Sequence, residues 1–315
     1  MTPAARAAVA DAARGFALKI QSNDAAGLRS TATPELGKDP AALQYQVAVT
    51  APKLAGGTAS VEQVYLLDAS ELKRNADGSA PDAQFFCSLN QSTAEVDFTI
   101  SALVPGRYAF ALVTIATKTG AANTGPWRLS LLMRQESASA NWLLAGFYPG
   151  AMTAAGHDGL WYWTQARQMV KDRQTWNAWL YYQTAERLLE PAVFVMSTHL
   201  DKLHTEAAAA APAALQDGVS VDEPLVVKGA DGTEYHFIAL SVDDAPAQSS
   251  LDLAVRLRAD PLTDPVAARK RNDAAASALL AAYPELRKPF HGVWVSAEGP
   301  GQNPFTSEQP MAEIK

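Results

Sequence analysis

The chain has 315 residues, of which 48% are hydrophobic and 19% are charged, and its formal net charge is −7. This balance is typical of a globular protein with real hydrophobic cores, and the length favours two or three domains over one. The acidic charge disfavours a nucleic-acid binder, which needs basic patches against phosphates. No apolar stretch reaches the roughly 18 residues that a membrane-spanning helix requires, so we expect no membrane span.

The N-terminal part is predicted to be helical. Apolar residues recur every three or four positions along 3–22, as they do on one face of an α-helix. A short helix follows the capping residue Asp24 and ends before Pro34. A third helix is predicted over 40–54 and ends at the glycine pair that begins with Gly56.

From residue 61 the hydrophobic period changes to two, which indicates β-strands. Strands are predicted at 61–67, 84–89, 95–101, 107–117, 127–134 and 141–148. The last two form a long hairpin whose strands carry Trp127 and Trp142. Residues 1–150 therefore combine helices with an antiparallel sheet.

This order of elements, with Trp127 and Trp142 on the closing hairpin, resembles the nuclear-transport-factor-2-like cone fold. The resemblance covers residues 1–150 and implies an apolar pocket like that of ketosteroid isomerase, which shares the fold and works with an Asp base and a Tyr/Asp oxyanion site. Tyr108 and Asp97 would be the loose counterparts of those groups. Residues 96–108 fit a small immunoglobulin-type sandwich equally well, and both alternatives stay open.

Residues 155–210 return to a helical pattern. Its first two helices resemble a single tetratricopeptide repeat, since Ala166, Ala178, Tyr182 and Ala185 fall at the small and aromatic positions of that motif. One repeat does not form a solenoid, so we expect the hairpin to pack on a neighbouring element. A further helix is predicted from Phe194.

The C-terminal part has a β-β-β-α-β pattern, which indicates a small α+β domain. Strands are predicted at 225–227, 235–238, 251–257 and 293–295, a helix over 265–283, and an irregular tail from Gly299. The predicted fold class is therefore α+β. Its domains are a cone-like N-terminal domain at 1–150, a tetratricopeptide-like helical segment at 151–212 and the C-terminal domain at 213–315.

The sequence contains no recognisable catalytic or cofactor motif. It lacks a phosphate-binding glycine loop, a nucleophile elbow and paired histidines with metal-ligand spacing. Cys87 is the only cysteine, which excludes an intramolecular disulfide and a multi-cysteine zinc site. The acidic pairs Asp243-Asp244 and Asp222-Glu223 are predicted in loops. We therefore predict no catalytic residue, no metal ligand and no cofactor.

Aromatic residues are concentrated in the middle of the chain. Six of the seven Trp lie between residues 127 and 179. Such rings either bind a helical hairpin to a sheet or line a groove for a ligand or peptide. The predicted ligand-binding residues are Tyr108, Trp127, Trp142, Trp161, Trp163 and Trp179.

Segments 84–90, 156–162 and 301–305 resemble uncharacterised exported proteins of acidobacteria, which implies a periplasmic or secreted location. Low Cys content with much Ala, Gln, Asn and Ser fits that location. We expect an export signal to precede the residues given. The predicted function is non-enzymatic binding of a small molecule, peptide or protein. The alternative is an isomerase- or hydrolase-like enzyme using the cone pocket.

Overall fold

The computed structural model describes residues 1–88, 95–116, 125–137, 140–215, 218–245, 250–301 and 303–314. The last residue of each of two predicted strands, Leu89 and Thr117, lies outside these ranges. Within them the protein is α+β, which confirms the predicted class. Two compact units are formed, one by Met1–Thr153 with Leu188–Asp201 and one by Ala154–Arg187 with Lys202–Lys315. The predicted domain boundaries at 150 and 212 stay predictions.

The described residues form eight α-helices. They are α1 (Pro3–Gln21), α2 (Ala25–Arg29), α3 (Pro34–Gly37), α4 (Pro40–Leu54), α5 (Gly159–Lys171), α6 (Thr175–Leu189), α7 (Thr198–Ala210) and α8 (Pro265–Ala282). Before six of them, a Thr or Asp side chain accepts a hydrogen bond from a free N–H group of the first turn. Proline follows this cap in α1, α3, α4 and α8, where its missing N–H costs nothing.

The strands of the first unit are β1 (Thr58–Ala69), β2 (Ala83–Cys87), β3 (Val96–Ile100), β4 (Gly106–Ala116), β5 (Trp127–Gln135), β6 (Leu143–Ala151) and β9 (Val195–Ser197). The short β7 (Thr153–Ala154) and β8 (His157–Asp158) pair with each other. The second unit contains β10 (Leu225–Lys228), β11 (Glu234–Ala245), β12 (Ser250–Arg258), β13 (Phe290–Glu298) and β14 (Phe305–Pro310).

Two of these strands contradict the sequence predictions. The segment from Phe194, predicted as helix, contains strand β9, and the helix starts only at Thr198. The chain is extended there because β9 pairs with β3 and Val195 is buried. The tail from Gly299, predicted as irregular, contains β14, which pairs along β13. In both cases pairing with a distant strand outweighs the weak local pattern.

The first unit is built on an antiparallel sheet in the order β1-β4-β5-β6. Strand β4 turns Ala109, Ala111 and Val113 to one face and Tyr108 and Phe110 to the other, because successive strand residues alternate. The first face packs against the helices through a buried apolar core whose members include Val9, Phe16, Ile20, Leu28, Leu43, Val47 and Leu54.

The other face of this sheet is also covered. Strands β2, β3 and β9 form a second, three-stranded sheet, and Phe98 on β3 packs edge-to-face on Phe110 with ring centroids 5.4 Å apart. The antiparallel sheet predicted for residues 1–150 is therefore two sheets, because β2 pairs with β3 and β3 pairs with β9, and in the described residues neither β2 nor β3 pairs with β1 or β4. Helices and a small sheet thus enclose the four-stranded sheet from both sides.

The second unit contains a five-stranded sheet in the order β10-β11-β12-β13-β14. Its neighbours are antiparallel except β12 and β13, which are parallel because α8 carries the chain from one end of the sheet back to the other. Alternate residues of β12, from Leu251 to Leu257, are buried on one face. Buried residues of α8, among them Ala275, Ala276 and Leu279, belong to the same unit's core.

Helices α5 and α6 form the predicted hairpin. Tyr162 on α5 and Tyr181 on α6 contact each other with ring centroids 5.2 Å apart. Within the second unit, the rings of Trp176 and Tyr283 lie 4.1 Å apart, and Tyr181 contacts Phe290 at the start of β13. The hairpin thus packs on a neighbouring element, as predicted. Across the described ranges, no helix combines the length and apolar character needed to cross a membrane.

Candidate functional site

Three of the six predicted binding residues belong to the first unit. Tyr108 is buried, and its hydroxyl donates a hydrogen bond of 2.8 Å to the carbonyl oxygen of Val104. Burial raises the pKa of this hydroxyl. Trp127 is half-buried against the helix–sheet core, and Lys53 Nζ lies 5.2 Å from its ring centroid. These contacts account for Tyr108 and Trp127 as packing residues.

Trp142 is also half-buried, and it borders a shallow cavity of about 440 Å³ at the edge of the same core. Phe16 and Lys19 of α1 line this cavity as well. The Lys19 ammonium already donates to Gly27 O at 3.1 Å and to Thr31 Oγ1 at 2.9 Å. The cavity therefore offers a ligand the Trp142 ring and a small apolar surface. The Lys19 ammonium already donates its hydrogen bonds to the protein itself.

The other three predicted residues belong to the second unit. Trp161 stacks on His157 with ring centroids 3.7 Å apart and an interplanar angle of 8°. Trp163 is buried and donates through Nε1 to Glu206 Oε2 at 2.7 Å. Trp179 is half-buried on α6.

The Glu206 carboxylate joins α7 to α5. Arg167 donates to its two oxygens at 2.7 and 2.8 Å, alongside the bond from Trp163. The hydrogen bonds from Arg167, against an opposing effect of burial, lower the pKa of Glu206 to about 2. Each oxygen is thereby occupied by a donor of the protein itself, so this cluster serves to hold the helices together.

A different set of polar side chains lies on the face of the five-stranded sheet opposite α8, which we call the polar face. Its exposed or half-exposed members alternate with the buried residues of β12, β13 and β14: Arg256, Arg258, Trp294, Ser296, Glu298, Thr306 and Glu308. Arg256 and Glu298 pair with each other there. The polar face thus carries charge where the opposite face carries the core.

Asp252 is the exception on this face, because its side chain is almost fully buried, with 4% of the residue exposed. Its Oδ2 accepts a hydrogen bond of 3.0 Å from Trp294 Nε1. Its Oδ1 lies 3.2 Å from His291 Nδ1. Trp294 and His291 on the neighbouring strand therefore both hold this carboxylate in place.

A second carboxylate lies beside the first. Glu308 on β14 is the register partner of Trp294, and its oxygen shares one small volume with the groups of Asp252 and His291. One ligand atom from each of the three side chains lies within 4.8 Å of the other two. We call Asp252, His291, Trp294 and Glu308 the Asp252 cluster.

A third acidic residue adjoins the cluster on β11. Asp243 lies directly opposite Asp252 in the register of β11 and β12. The prediction that Asp243 and Asp244 lie in a loop is wrong, because both are part of β11. Like charges facing each other across strands repel, so this arrangement lowers stability and needs a compensating interaction.

Sequence reasoning missed this cluster because Asp252 lies 39 residues before His291 and Glu308 lies 17 residues after it, so no short motif contains them. Asp252 interrupts an apolar strand, and that is the signal that places it on the non-core face. Trp294 gives no such signal, because it is itself apolar and lies between two valines. Glu308 also gives no signal, because the sequence from Gly299 onward predicts an irregular tail and not a strand.

Comparison of the chain with known protein families, with curated proteins and with solved structures gives no match. The chemistry of the Asp252 cluster is therefore what bears on function. Carboxylate oxygens and an imidazole nitrogen accept hydrogen bonds and bind cations. An exposed indole ring beside them adds a surface on which cations and apolar groups pack.

Proposed function

We propose that this is a non-enzymatic binding protein that works outside the cytoplasm and takes a positively charged ligand at the Asp252 cluster. One observation carries the proposal: Asp252 is almost fully buried on the polar face, next to a second carboxylate, Glu308, for which the described part of the chain shows no cationic partner. Burying a carboxylate is costly unless hydrogen bonds and opposite charges offset it. A ligand cation supplies that offset.

The surroundings of the cluster support a ligand that comes from outside. Trp294 is 36% exposed, although its Nε1 donates to Asp252, so one part of the ring faces solvent. His291 and Glu308 are both half-buried. The cluster thus combines a carboxylate held by hydrogen bonds with neighbouring side chains that solvent reaches.

The exported location and the cone-like N-terminal fold are parts of the same proposal. The composition, with much Ala, Gln, Asn and Ser, is the support for export. Helices packed on one face of an antiparallel sheet support the cone-like fold. The enzyme alternative has less support, since side chains such as Phe16, Val47 and Leu131 occupy the space between helices and sheet.

The proposal is tested by comparing the free energy of unfolding of the wild type with that of a Glu308 variant. Both are first dialysed against a chelator, so that no metal ion is bound, and measured at pH 8, where histidines are usually neutral. Glu308→Gln removes the negative charge beside the Asp252 carboxylate. We therefore expect the free energy of unfolding of this variant to exceed that of the wild type by about 0.5–1 kcal/mol. Urea titrations of both proteins measure this difference.

Glu298→Gln on the same face is the matched control. Glu298 accepts from Arg256, so its replacement is expected to leave stability unchanged or slightly lower. A loss of stability in Glu308→Gln equal to or greater than that of the control would give Glu308 a structural role and reject the proposed function.

A further inference from the structure

We propose that Asp252, His291 and Glu308 are the ligands of a divalent transition-metal cation, and that zinc is the ion they bind most tightly among those tested below. This inference rests on the proposed function and names its ligand. Two carboxylates and one imidazole form a three-residue set that leaves a further coordination position to solvent or a second molecule.

The spacing of the ligand atoms suits one ion. Bonds of about 2.0–2.1 Å in a tetrahedral arrangement place neighbouring ligand atoms about 3.3 Å apart. Asp252 Oδ1 and His291 Nδ1 are 3.2 Å apart. The oxygen of Glu308 lies within 4.8 Å of both, so binding one ion requires a change in the side-chain torsions of Glu308.

Gly292 leaves the room that an ion requires. A Cβ atom at this position would lie 3.1 Å from the carbonyl oxygen of Gln309, 3.3 Å from Asp252 Oδ1 and 3.6 Å from Glu308 Oε1, so it would crowd both the neighbouring strand and the two carboxylates. Gly292 does not have a positive φ, so its backbone is open to other residues. The missing side chain, and not backbone freedom, is therefore what glycine contributes here.

Trp294 positions the first ligand. Its Nε1 donates to Asp252 Oδ2 and leaves Oδ1 directed toward His291. Hydrogen bonds of this kind orient carboxylate ligands in metal sites, and their loss typically weakens metal binding about 10- to 100-fold. Trp294 is a positioning residue in this account.

The ligand types select the class of metal. Imidazole favours zinc, iron, copper and nickel over magnesium and calcium, which take sets of oxygen ligands. The carboxylates disfavour copper(I), which prefers thiolates and thioethers. Among common divalent ions, zinc binds such sets more tightly than manganese or iron(II).

The test uses the full chain without a histidine tag, after removal of metals, with zinc chloride titrated by isothermal calorimetry. We expect one equivalent to bind to the wild type. Asp252→Asn, His291→Gln and Glu308→Gln are each expected to weaken binding at least 100-fold, and Trp294→Phe about 10-fold. Calcium and magnesium at the same concentrations are expected not to compete.

His236→Gln and Glu298→Gln are matched controls, since both residues lie on the same sheet and outside the cluster. Their zinc affinity is expected to stay within twofold of the wild type. Circular dichroism verifies the fold of each variant, and Glu308→Gln carries the test if Asp252→Asn does not fold.

Two outcomes overturn the metal site: a wild type without a saturable zinc equivalent, or controls that weaken binding as much as the cluster variants. If zinc fails to bind while Glu308→Gln still raises stability, the metal is rejected and another cationic ligand remains the proposed function. If Glu308→Gln lowers stability and zinc does not bind, both proposals are rejected.

Discussion

The two units use the two faces of a sheet in different ways. In the first unit both faces of the four-stranded sheet are buried, one by helices and the other by a three-stranded sheet through contacts such as Phe98–Phe110. In the second unit one face of the five-stranded sheet holds the core, and the other carries Arg256, Trp294, Glu298 and Glu308. A sheet that is buried on both faces contributes mainly to stability. A face that is open to solvent and carries one buried carboxylate, Asp252, has groups available for a ligand.

The largest expected effect tests the buried second face of the first unit. Phe110 is fully buried against Phe98, so Phe110→Ala is expected to lower the free energy of unfolding by about 3–5 kcal/mol. Ser241→Ala, at an exposed position of β11, is the control and is expected to change it by less than about 0.5 kcal/mol. Urea denaturation measures both, and similar losses in the two variants would remove the contrast between the faces.

A smaller effect concerns the Glu206 carboxylate among the helices of the second unit. Glu206→Gln is expected to cost about 1–3 kcal/mol at pH 7, because the charged bonds from Arg167 and Trp163 are weakened. The folded-state pKa, about 2, is below the ordinary value of 4.5. The carboxylate therefore contributes fully above pH 4.5, and this contribution is lost as the pH falls through about 2.

The gap in stability between wild type and Glu206→Gln should accordingly narrow from pH 5 to pH 2. Thermal unfolding followed by circular dichroism at pH 7, 5, 4, 3 and 2 measures this gap. A gap that stays constant over the whole range would show that the charge of Glu206 is not what holds α5 and α7 together.

The smallest effect is expected on the polar face itself. Arg256 and Glu298 form an ion pair with two hydrogen bonds, but the Arg256 side chain is 53% exposed. Water and salt screen such pairs, so Arg256→Ala is expected to cost less than about 1 kcal/mol, and less still in 1 M salt. A loss above 2 kcal/mol in urea titrations would mean that this face contributes to folding as much as the core face does.

Local patterns in the sequence predicted the parts of the fold that depend on local chemistry. The helices at 3–22, 40–54 and 265–283 were predicted from their caps and periodicity and are confirmed. The α+β class followed from them and from the alternating strands. Strands β9 and β14 were missed, since each is defined by a partner distant in sequence.

The candidate site was predictable only in part. The alternation from Leu251 to Leu257 places Asp252 on the face away from the core, which the sequence alone indicates. The contact with His291 depends on the parallel pairing of β12 and β13 through α8, and that with Glu308 depends on β14. The predicted aromatic residues were easier to find, because a dense group of Trp is visible in one stretch of sequence.

The most direct test of the central claim, that the polar face of the second unit carries a built cation site, is anomalous X-ray scattering. Crystals grown with one equivalent of zinc chloride are measured above and below the zinc absorption edge. We expect a zinc peak within bonding distance of Asp252, His291 and Glu308, next to Gly292. A full-occupancy peak at another group, such as His204 and Glu186, with none at the Asp252 cluster would contradict it.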